Sequence, residues 1–249
     1  MSTSAGVLAR RLFSTAFWLF IVISSMLLFP LAVLIWAATV WVDPRLTLLH
    51  RFTCLWASLY TWINPAWRVS IEGRAKIRPN VAYVMVANHQ SLLDILVLFR
   101  LFAHFKWVSK IENFRVPFVG WNMSLNRYIK LRRGDKESID AMMVACELAL
   151  RQGNSIMMFP EGTRSMDGKL KDFKHGAFTL AQRTGAPILP IVVHGTSHAL
   201  PKRGYVLRGR HQIKVTVLDE IPHHQFAELP VEQLIAGVRT KIAAKLAEA

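Results

Sequence analysis

The residues best suited to proton transfer are His89 and Asp94, in the segment Asn88-His89-Gln90-Ser91-Leu92-Leu93-Asp94. Residues 81–87 before it form a short apolar run, rich in β-branched and aromatic residues, that predicts a buried strand. Ser91 could cap a following helix with Asp94 at the capping-box position, so we expect His89 in the turn between strand and helix. A turn would let Asp94 hold one imidazole nitrogen and leave the other as a general base. The alternative is structural, with Asp94 only a cap.

A second polar segment, Phe159-Pro160-Glu161-Gly162-Thr163-Arg164-Ser165, directly follows another apolar run. Ligands gather beyond the carboxyl ends of strands in an open α/β sheet, so the two segments could face one crevice. Gly162 permits an unusual backbone angle or close ligand approach, and Arg164 could bind phosphate oxygens bidentately. Thr163 adds a hydroxyl, while Glu161 could contact substrate hydroxyls or orient Arg164. The alternative for Glu161 and Arg164 is a structural salt bridge in a tight turn.

Further cations follow two other predicted strands. Lys110 comes after the run 105–109, and Arg132 and Arg133 come after 128–131. Each cation alone is more often a solvated charge, but their recurrence at strand ends favours a shared anion pocket with His89 and Arg164. The net charge of +15 also implies an anionic partner, which could be nucleic acid, a membrane surface or a phosphorylated substrate.

The N-terminal region favours a membrane over nucleic acid. Residues 12–42 form a stretch of 31 residues without a charged side chain, longer than the roughly 20 needed to cross a bilayer core. We expect an uncleaved anchor, either one tilted span or, slightly preferred, two shorter helices that fold as a re-entrant hairpin near Pro30. Residues 48–63 predict an amphipathic interfacial helix with a polar face that includes His50 and Thr53. A core-packing helix is the alternative for this second segment.

After residue 66 the composition changes, so we predict a membrane anchor and interfacial helix over 1–66 and one domain over 67–249. Predicted strands alternate with predicted helices, which indicates an α/β fold with a mixed, largely parallel sheet flanked by helices. The strand candidates are 68–72, 81–87, 105–109, 128–131, 155–159, 188–193 and 212–218, and the best helix candidates are 91–102, 136–152, 173–184 and 231–247.

Two residue types give little evidence of a metal or disulfide. Cys54 and Cys146 lie in apolar stripes without metal-ligand spacing, and we expect buried free thiols. The pairs His194/His198 and His223/His224 lack a convincing set of further ligands, so we predict no metal site.

Together these segments resemble the glycerophospholipid acyltransferase family, in particular the 1-acyl-sn-glycerol-3-phosphate acyltransferases. Asn88-His89-x4-Asp94 is similar to the family's catalytic motif, and 159–165 is similar to its glycerophosphate-binding motif. Ser109-Lys110, 116–121 and 188–193 also resemble family blocks, so the likeness covers about residues 68–218. The block at 126–133 is more basic than the family pattern, and only Arg133 carries over from it.

The resemblance implies transfer of a fatty acyl group from an acyl thioester to the free hydroxyl of 1-acyl-glycerol-3-phosphate. His89 would be the general base and Asp94 its orienting partner. The acceptor's phosphate would be held by the cations, and the turn would shape the site; these substrate-binding residues are Lys110, Arg133, Glu161, Gly162, Thr163 and Arg164. No cofactor is expected, since acyl-CoA or acyl carrier protein is a co-substrate.

The expected partners are a lysophospholipid, the acyl donor and membrane lipids, without nucleic acid, because no base-reading motif is present. We expect an integral or monotopic protein of the bacterial inner membrane, with its catalytic domain on the cytoplasmic face. Three alternatives remain open at this point. The acceptor could be another lysophospholipid or lipid, the protein could be a membrane thioesterase, or it could be a noncatalytic lipid-binding protein.

Overall fold

The structure, a computed structural model, describes residues 4–166, 168–202 and 205–248. Two N-terminal helices precede an alternating series of strands and helices. The helices are α1 (Ser4–Thr39), α2 (Thr47–Trp62), α3 (Leu93–Phe99), α4 (Val119–Leu125), α5 (Lys136–Arg151), α6 (Gly176–Thr184), α7 (Thr196–Ala199) and α8 (Val231–Ala247). The strands are β1 (Trp67–Glu72), β2 (Val84–Ala87), β3 (Phe105–Lys110), β4 (Ile129–Leu131), β5 (Ser155–Met158), β6 (Ile188–His194) and β7 (His211–Val217).

The strands form one sheet in the order β1-β7-β6-β2-β5-β3-β4. Neighbouring strands are parallel except for the antiparallel pair β6 and β7. The prediction of a mixed, largely parallel sheet flanked by helices is therefore confirmed. Because β6, β2, β5, β3 and β4 run in the same direction, their carboxyl ends share one edge of the sheet. This edge is where both polar segments leave their strands.

Helices cover both faces of the sheet, which is why its central strands are apolar throughout. Along β2, Met85 and Ala87 belong to the core formed with α1, α2 and α3, whereas Val84 and Val86 belong to the core formed with α5, α6 and α8. Every residue of β2 and β5 is buried. This double layer holds the ends of β2 and β5, and so the two polar segments, on a rigid base.

The apolar N-terminal segment is a single helix, α1, and it is long and apolar enough to cross a membrane. The slightly preferred re-entrant hairpin is wrong, because Pro30 lies inside this continuous helix. Proline in a helix interior costs about 3 kcal/mol, and packing of the helix against the rest of the protein offsets that cost: Ala32, just after Pro30, is buried, and two contacts lie before it. The Tyr60 hydroxyl lies 3.0 Å from Ser24 Oγ before it, and Phe29 packs beside Trp121 with ring centroids 5.5 Å apart.

One stripe of α1 packs against the rest of the protein over most of its length. Ser14, Phe17, Ser24 and Ala32 are buried at helical spacing, and Trp36 packs against the same core. The opposite side of the helix carries large exposed apolar side chains: Leu8, Leu12, Leu19, Val22, Ile23, Met26, Leu27, Leu31 and Leu34. Thus α1 is attached to the globular domain lengthwise, with an apolar face left uncovered. The predicted domain boundary at residue 66 stays a prediction.

The faces of α2 differ from the sequence expectation. The polar side chains His50, Thr53, Ser58 and Thr61 are buried, whereas Leu55 is half exposed. The predicted polar face therefore packs into the protein, as in the alternative of a core-packing helix. The physical reason is that three of these four polar groups find partners, Ser58 Oγ being the exception. Thr53 Oγ1, for example, accepts hydrogen bonds from the amides of Asn122, at 3.1 Å, and Asn126, at 3.0 Å.

Candidate active site

The turn between β2 and α3 brings His89 and Asp94 together. Nδ1 of His89 lies 2.8 Å from Oδ2 of Asp94. An ionised carboxylate only accepts hydrogen bonds, so Nδ1 carries the proton and Nε2 is the unprotonated nitrogen of the neutral ring. No residue in the described part of the chain forms a hydrogen bond with Nε2. This nitrogen is therefore available as a base.

Asp94 is completely buried and satisfied by four donors. Its Oδ2 also accepts from the backbone N–H groups of Gln90, at 2.6 Å, and Ser91, at 2.8 Å. Its other oxygen, Oδ1, accepts from the hydroxyl of Thr196. A carboxylate held by donors on both oxygens cannot rotate freely, so the imidazole of His89 is oriented with it.

The predicted helix cap at Ser91 is shifted by one residue. The helix begins at Leu93, after Leu92, but Ser91 still performs part of the capping-box chemistry. Its Oγ accepts from the Leu93 N–H at 3.2 Å, and its own N–H donates to Asp94. Asp94 thus serves as both a cap and the partner of His89, so the two readings of this carboxylate are compatible.

The turn after β5 fixes the backbone of His89. Because β5 lies beside β2, residues 159–165 reach the same place on the sheet edge. Oε1 of Glu161 accepts from the His89 N–H at 2.6 Å, and the Ser165 N–H donates to the His89 carbonyl at 2.9 Å. The Phe159 ring stacks on the imidazole with centroids 3.9 Å apart and an interplanar angle of 9°. The second polar segment therefore holds the first.

The contacts of Glu161 differ from those that either of its predicted roles would require. It is buried, and its second oxygen accepts from the Lys171 N–H at 3.0 Å. Burial raises the pKa of this carboxyl, whereas the bonds from His89 and Lys171 lower it. Both oxygens contact backbone donors, and neither contacts Arg164. The structure thus assigns Glu161 a part in shaping the turn, and its predicted contact with substrate stays a prediction.

Gly162 adopts a φ of +68°, in the left-handed region that favours glycine. A Cβ at this position would also lie 2.9 Å from Cε of Lys174, so the Lys174 side chain runs over the turn. Thr163 and Arg164 are half-buried, and the Arg164 carbonyl accepts from Lys202 Nζ at 2.7 Å. Lys174 and Lys202 are cations that sequence reasoning missed, because neither lies in a motif or directly after a strand.

The predicted cations lie at increasing distances from His89 along the sheet edge. Arg164 follows β5, next to β2, whereas Lys110 is the last residue of β3 and Arg133 follows β4, two and three strands away. With about 4.8 Å between strands, these offsets are about 10 and 14 Å. Lys110 forms an ion pair with Glu112 at 3.1 Å, and Arg133 is exposed. The described contacts do not join either residue to His89 or Arg164.

Thr196 is a further site residue that the sequence motifs did not predict. It follows β6, which lies on the other side of β2, and its hydroxyl reaches Asp94. The recognised motifs gave no signal for it, although its position just after a strand next to β2 could have suggested it.

No group of three or more His, Cys, Asp or Glu side chains that could hold a metal ion occurs within residues 4–166, 168–202 and 205–248. Cys54 and Cys146 are both buried free thiols, as expected.

A family model described as Acyltransferase matches residues 68–194, slightly more than half of the chain. The chain belongs to the acyltransferase family. The predicted family is thereby confirmed, and the matched range contains every predicted catalytic and substrate-binding residue. In this acyltransferase, Thr196 lies just beyond the matched range.

Two curated relatives illustrate the likeness of this acyltransferase. A 1-acyl-sn-glycerol-3-phosphate acyltransferase of Chlamydomonas reinhardtii is 36% identical over 198 residues, which cover 79% of this chain and 58% of the relative. A chloroplastic enzyme of the same description from Arabidopsis thaliana is 36% identical over 203 residues, covering 81% and 55%. The chain thus spans about half the length of these curated relatives.

A crystal structure of the 1-acyl-sn-glycerophosphate acyltransferase from Thermotoga maritima superimposes on this acyltransferase with a TM-score of 0.76. The alignment covers 96% of this chain and 97% of the other, at 22% sequence identity. At this level of identity, the likeness shows a shared fold, including the N-terminal helices.

Proposed function

We propose that the chain transfers a fatty acyl group from an acyl thioester to the free hydroxyl of 1-acyl-glycerol-3-phosphate, forming phosphatidic acid. The observation that carries this proposal is the His89–Asp94 pair, with Nε2 of His89 available, bonded through the His89 backbone to the turn that carries the half-buried Arg164. The descriptions of the curated relatives agree with it.

His89 and Asp94 are the proposed catalytic residues. An alcohol is a poor nucleophile at neutral pH, so Nε2 of His89 takes the hydroxyl proton as the oxygen attacks the thioester carbonyl carbon. This kind of general-base catalysis contributes about 10²–10⁴-fold. The carbon–sulfur bond then breaks, the new ester is released, and the proton held on His89 neutralises the departing thiolate. Asp94 stabilises the imidazolium that forms between these steps.

Arg164 is the proposed main ligand of the acceptor's phosphate. Its guanidinium can bind two phosphate oxygens at once, and its strand is adjacent to that of His89. Gly162 and Thr163 form the floor of this site, and Glu161 fixes the turn that carries it. Lys110 and Arg133, two and three strands away, extend the positive field over which the acceptor and donor phosphates approach.

The proposed donors are acyl-CoA and acyl carrier protein, which are both acidic and therefore suited to a chain of net charge +15. The reaction balances with these two substrates alone, so no cofactor is proposed. Membrane lipids are the remaining proposed partner, and nucleic acid is not among the partners.

We also propose that the protein is monotopic and lies on the cytoplasmic face of a bacterial inner membrane. The buried stripe of α1 extends from Ser14 to Trp36, about 33 Å of helix, so the globular domain accompanies the helix along a length that exceeds a bilayer core. A perpendicular span would draw the charged domain into the lipid. Exposed apolar side chains of the domain next to α1 (Val116, Val119 and Trp121) extend the lipid-facing surface.

The test is an assay of purified full-length protein in mixed micelles, with acyl-CoA and acyl carrier protein each paired with several lysophospholipids. The proposal predicts phosphatidate formation that requires lysophosphatidate. Release of free fatty acid without an acceptor would identify a thioesterase instead. If another lysolipid is used in preference to lysophosphatidate, that lysolipid is the acceptor. Absence of turnover with every pair would support a noncatalytic lipid-binding role.

A further inference from the structure

We propose that Thr196 is a positioning residue for the catalytic pair, an inference that rests on the function proposed above. Thr196 is fully buried, and its hydroxyl donates to Asp94 Oδ1. The other oxygen, Oδ2, receives three donors, from His89 Nδ1 and from the backbone N–H groups of Gln90 and Ser91. In the described part of the chain, Thr196 is the one donor to Oδ1.

The position of Thr196 is set by the glycine before it. Gly195 has a φ of +85°, and a Cβ there would lie 2.2 Å from the Gln212 carbonyl oxygen of β7. Only glycine fits both the backbone angle and this close approach. The tight turn directs the chain from the end of β6 back toward the catalytic turn.

Hydrogen bonds on both sides of Thr196 tie this turn to the catalytic segment. The Asn88 side chain exchanges two bonds with the backbone of Val193, each 2.8 Å long. Ser91 Oγ donates to the Leu200 carbonyl at 2.6 Å. Neither tie uses the Thr196 hydroxyl. The backbone around Thr196 should therefore stay in place when that hydroxyl is removed.

The hydroxyl controls the orientation of the carboxylate. When Thr196 holds Oδ1, Asp94 keeps Oδ2 directed at the imidazole Nδ1–H. Without this bond, the carboxylate can turn, and the imidazole loses its fixed orientation toward the substrate. Thr196 therefore acts on the rate of proton transfer, since it is separated from the substrate by Asp94 and His89.

The kinetic test compares Thr196→Val with Thr196→Ser. We expect Thr196→Val to lower kcat about tenfold with little change in the KM of either substrate, and Thr196→Ser to retain most of the rate. In the Asp94→Asn background, adding Thr196→Val should change kcat less than twofold, because the two residues act as a unit. Thr61→Val is the matched control, as Thr61 is buried and donates to the Ser58 carbonyl at 2.8 Å.

A second readout does not depend on turnover. With histidine labelled with ¹⁵N, the Nδ1 proton signal of His89 should be present without substrates in the wild type and Thr196→Ser, and shifted or lost in Thr196→Val. Wild-type kcat and an unchanged signal in Thr196→Val would overturn the proposal, as would an equal loss of kcat in Thr61→Val. If the wild type made no phosphatidate but the signal still depended on Thr196, the proposed function would fail and the positioning role would stand.

Discussion

His89 is fixed through its ring and through both of its backbone polar groups. Phe159 stacks on the ring, Asp94 holds Nδ1, and Glu161 and Ser165 bind the N–H and the carbonyl. Such restraint favours a residue whose geometry matters for chemistry, since a turn histidine needs none of it for folding. Removing the ring should therefore affect the rate far more than the stability.

We predict that His89→Ala lowers kcat about 10²–10⁴-fold, the usual contribution of a general base. Loss of the stacking contact should cost about 1 kcal/mol and lower Tm by about 2–4 °C. Asp94→Asn should lose a comparable rate, because an amide cannot accept from all four donors. Kinetics and melting curves of purified variants check this; near-normal turnover by His89→Ala would refute the mechanism.

Substitution of Arg164 tests whether this residue binds the acceptor's phosphate or has only a structural role. Lysine cannot reproduce the bidentate geometry of a guanidinium, so Arg164→Lys should raise the acceptor KM about tenfold or more. The donor KM and the Tm should change little. Steady-state kinetics with each substrate varied separately check this. Arg183→Lys is the control, because Arg183 of α6 pairs with Glu147 of α5 and belongs to neither polar segment. An unchanged acceptor KM together with a large drop in Tm would mean a structural role.

The sequence predicted the main contacts of the site but not its support. His89 and Asp94 lie five residues apart across a recognisable strand end, so their pairing follows from local geometry. Thr196 reaches Asp94 from 102 residues further along the chain, and the strand order that makes them neighbours has no local signal. The role of Glu161 was missed for a related reason, since its partners are backbone groups and any residue type can supply those.

At the scale of elements, every predicted strand is present, because short apolar runs between turn residues carry a strong signal in a doubly covered sheet. The helices α5 and α8 also match closely, at Lys136–Arg151 and Val231–Ala247. The failures concern tertiary contacts. The continuity of α1 depends on packing around Pro30, and the buried polar face of α2 depends on partners elsewhere in the chain.

Lys106 of β3 links several elements and is buried with its charge. Its Nζ donates to the carbonyl of Arg45, at 2.7 Å, before α2 and to that of Asn126, at 2.9 Å, after α4. Burial is the largest cause that lowers the pKa of this amine, to about 8 from its ordinary value of 10.5; nearby Arg127 and Arg45 also lower it, and Asp43 raises it.

This pKa predicts a pH-dependent stability. Between about pH 8 and 10.5 the unfolded chain keeps the proton that folded Lys106 has lost, so the unfolding free energy contributed by this residue rises with pH. The full effect is about 3 kcal/mol. Melting curves across this range should show the wild type and Lys241→Met, an exposed control, gaining stability relative to Lys106→Met as the pH rises. The buried thiols Cys54 and Cys146, which lower the stability above about pH 9, are common to all three proteins and cancel in this comparison. A parallel pH dependence in all three would contradict the assignment.

At the scale of the molecule, the lengthwise attachment of α1 predicts that both of its ends lie on the same side of the membrane. In sealed vesicles, a membrane-impermeant maleimide should label Ser4→Cys and Asp43→Cys equally and from the same side. The native thiols compete little, because burial raises the pKa of Cys54 and Cys146 to about 12. The protein should also stay in the membrane after high-salt and alkaline washing. Labelling of the two positions from opposite sides would instead indicate a transmembrane α1.

The uncovered apolar side of α1 has a consequence for lipid mechanics. If the chain carries out the proposed transfer while it lies along one side of a bilayer, it takes its lysolipid from the nearer leaflet and returns the product there. A lysolipid has one chain, so its head is wider than its tail, whereas phosphatidate has two chains, which are wider than its small head. Each turnover therefore replaces a lipid that favours convex curvature with one that favours concave curvature, and it increases the tail area of that leaflet alone. Sustained activity would bend the bilayer unless lipid moved to the opposite leaflet.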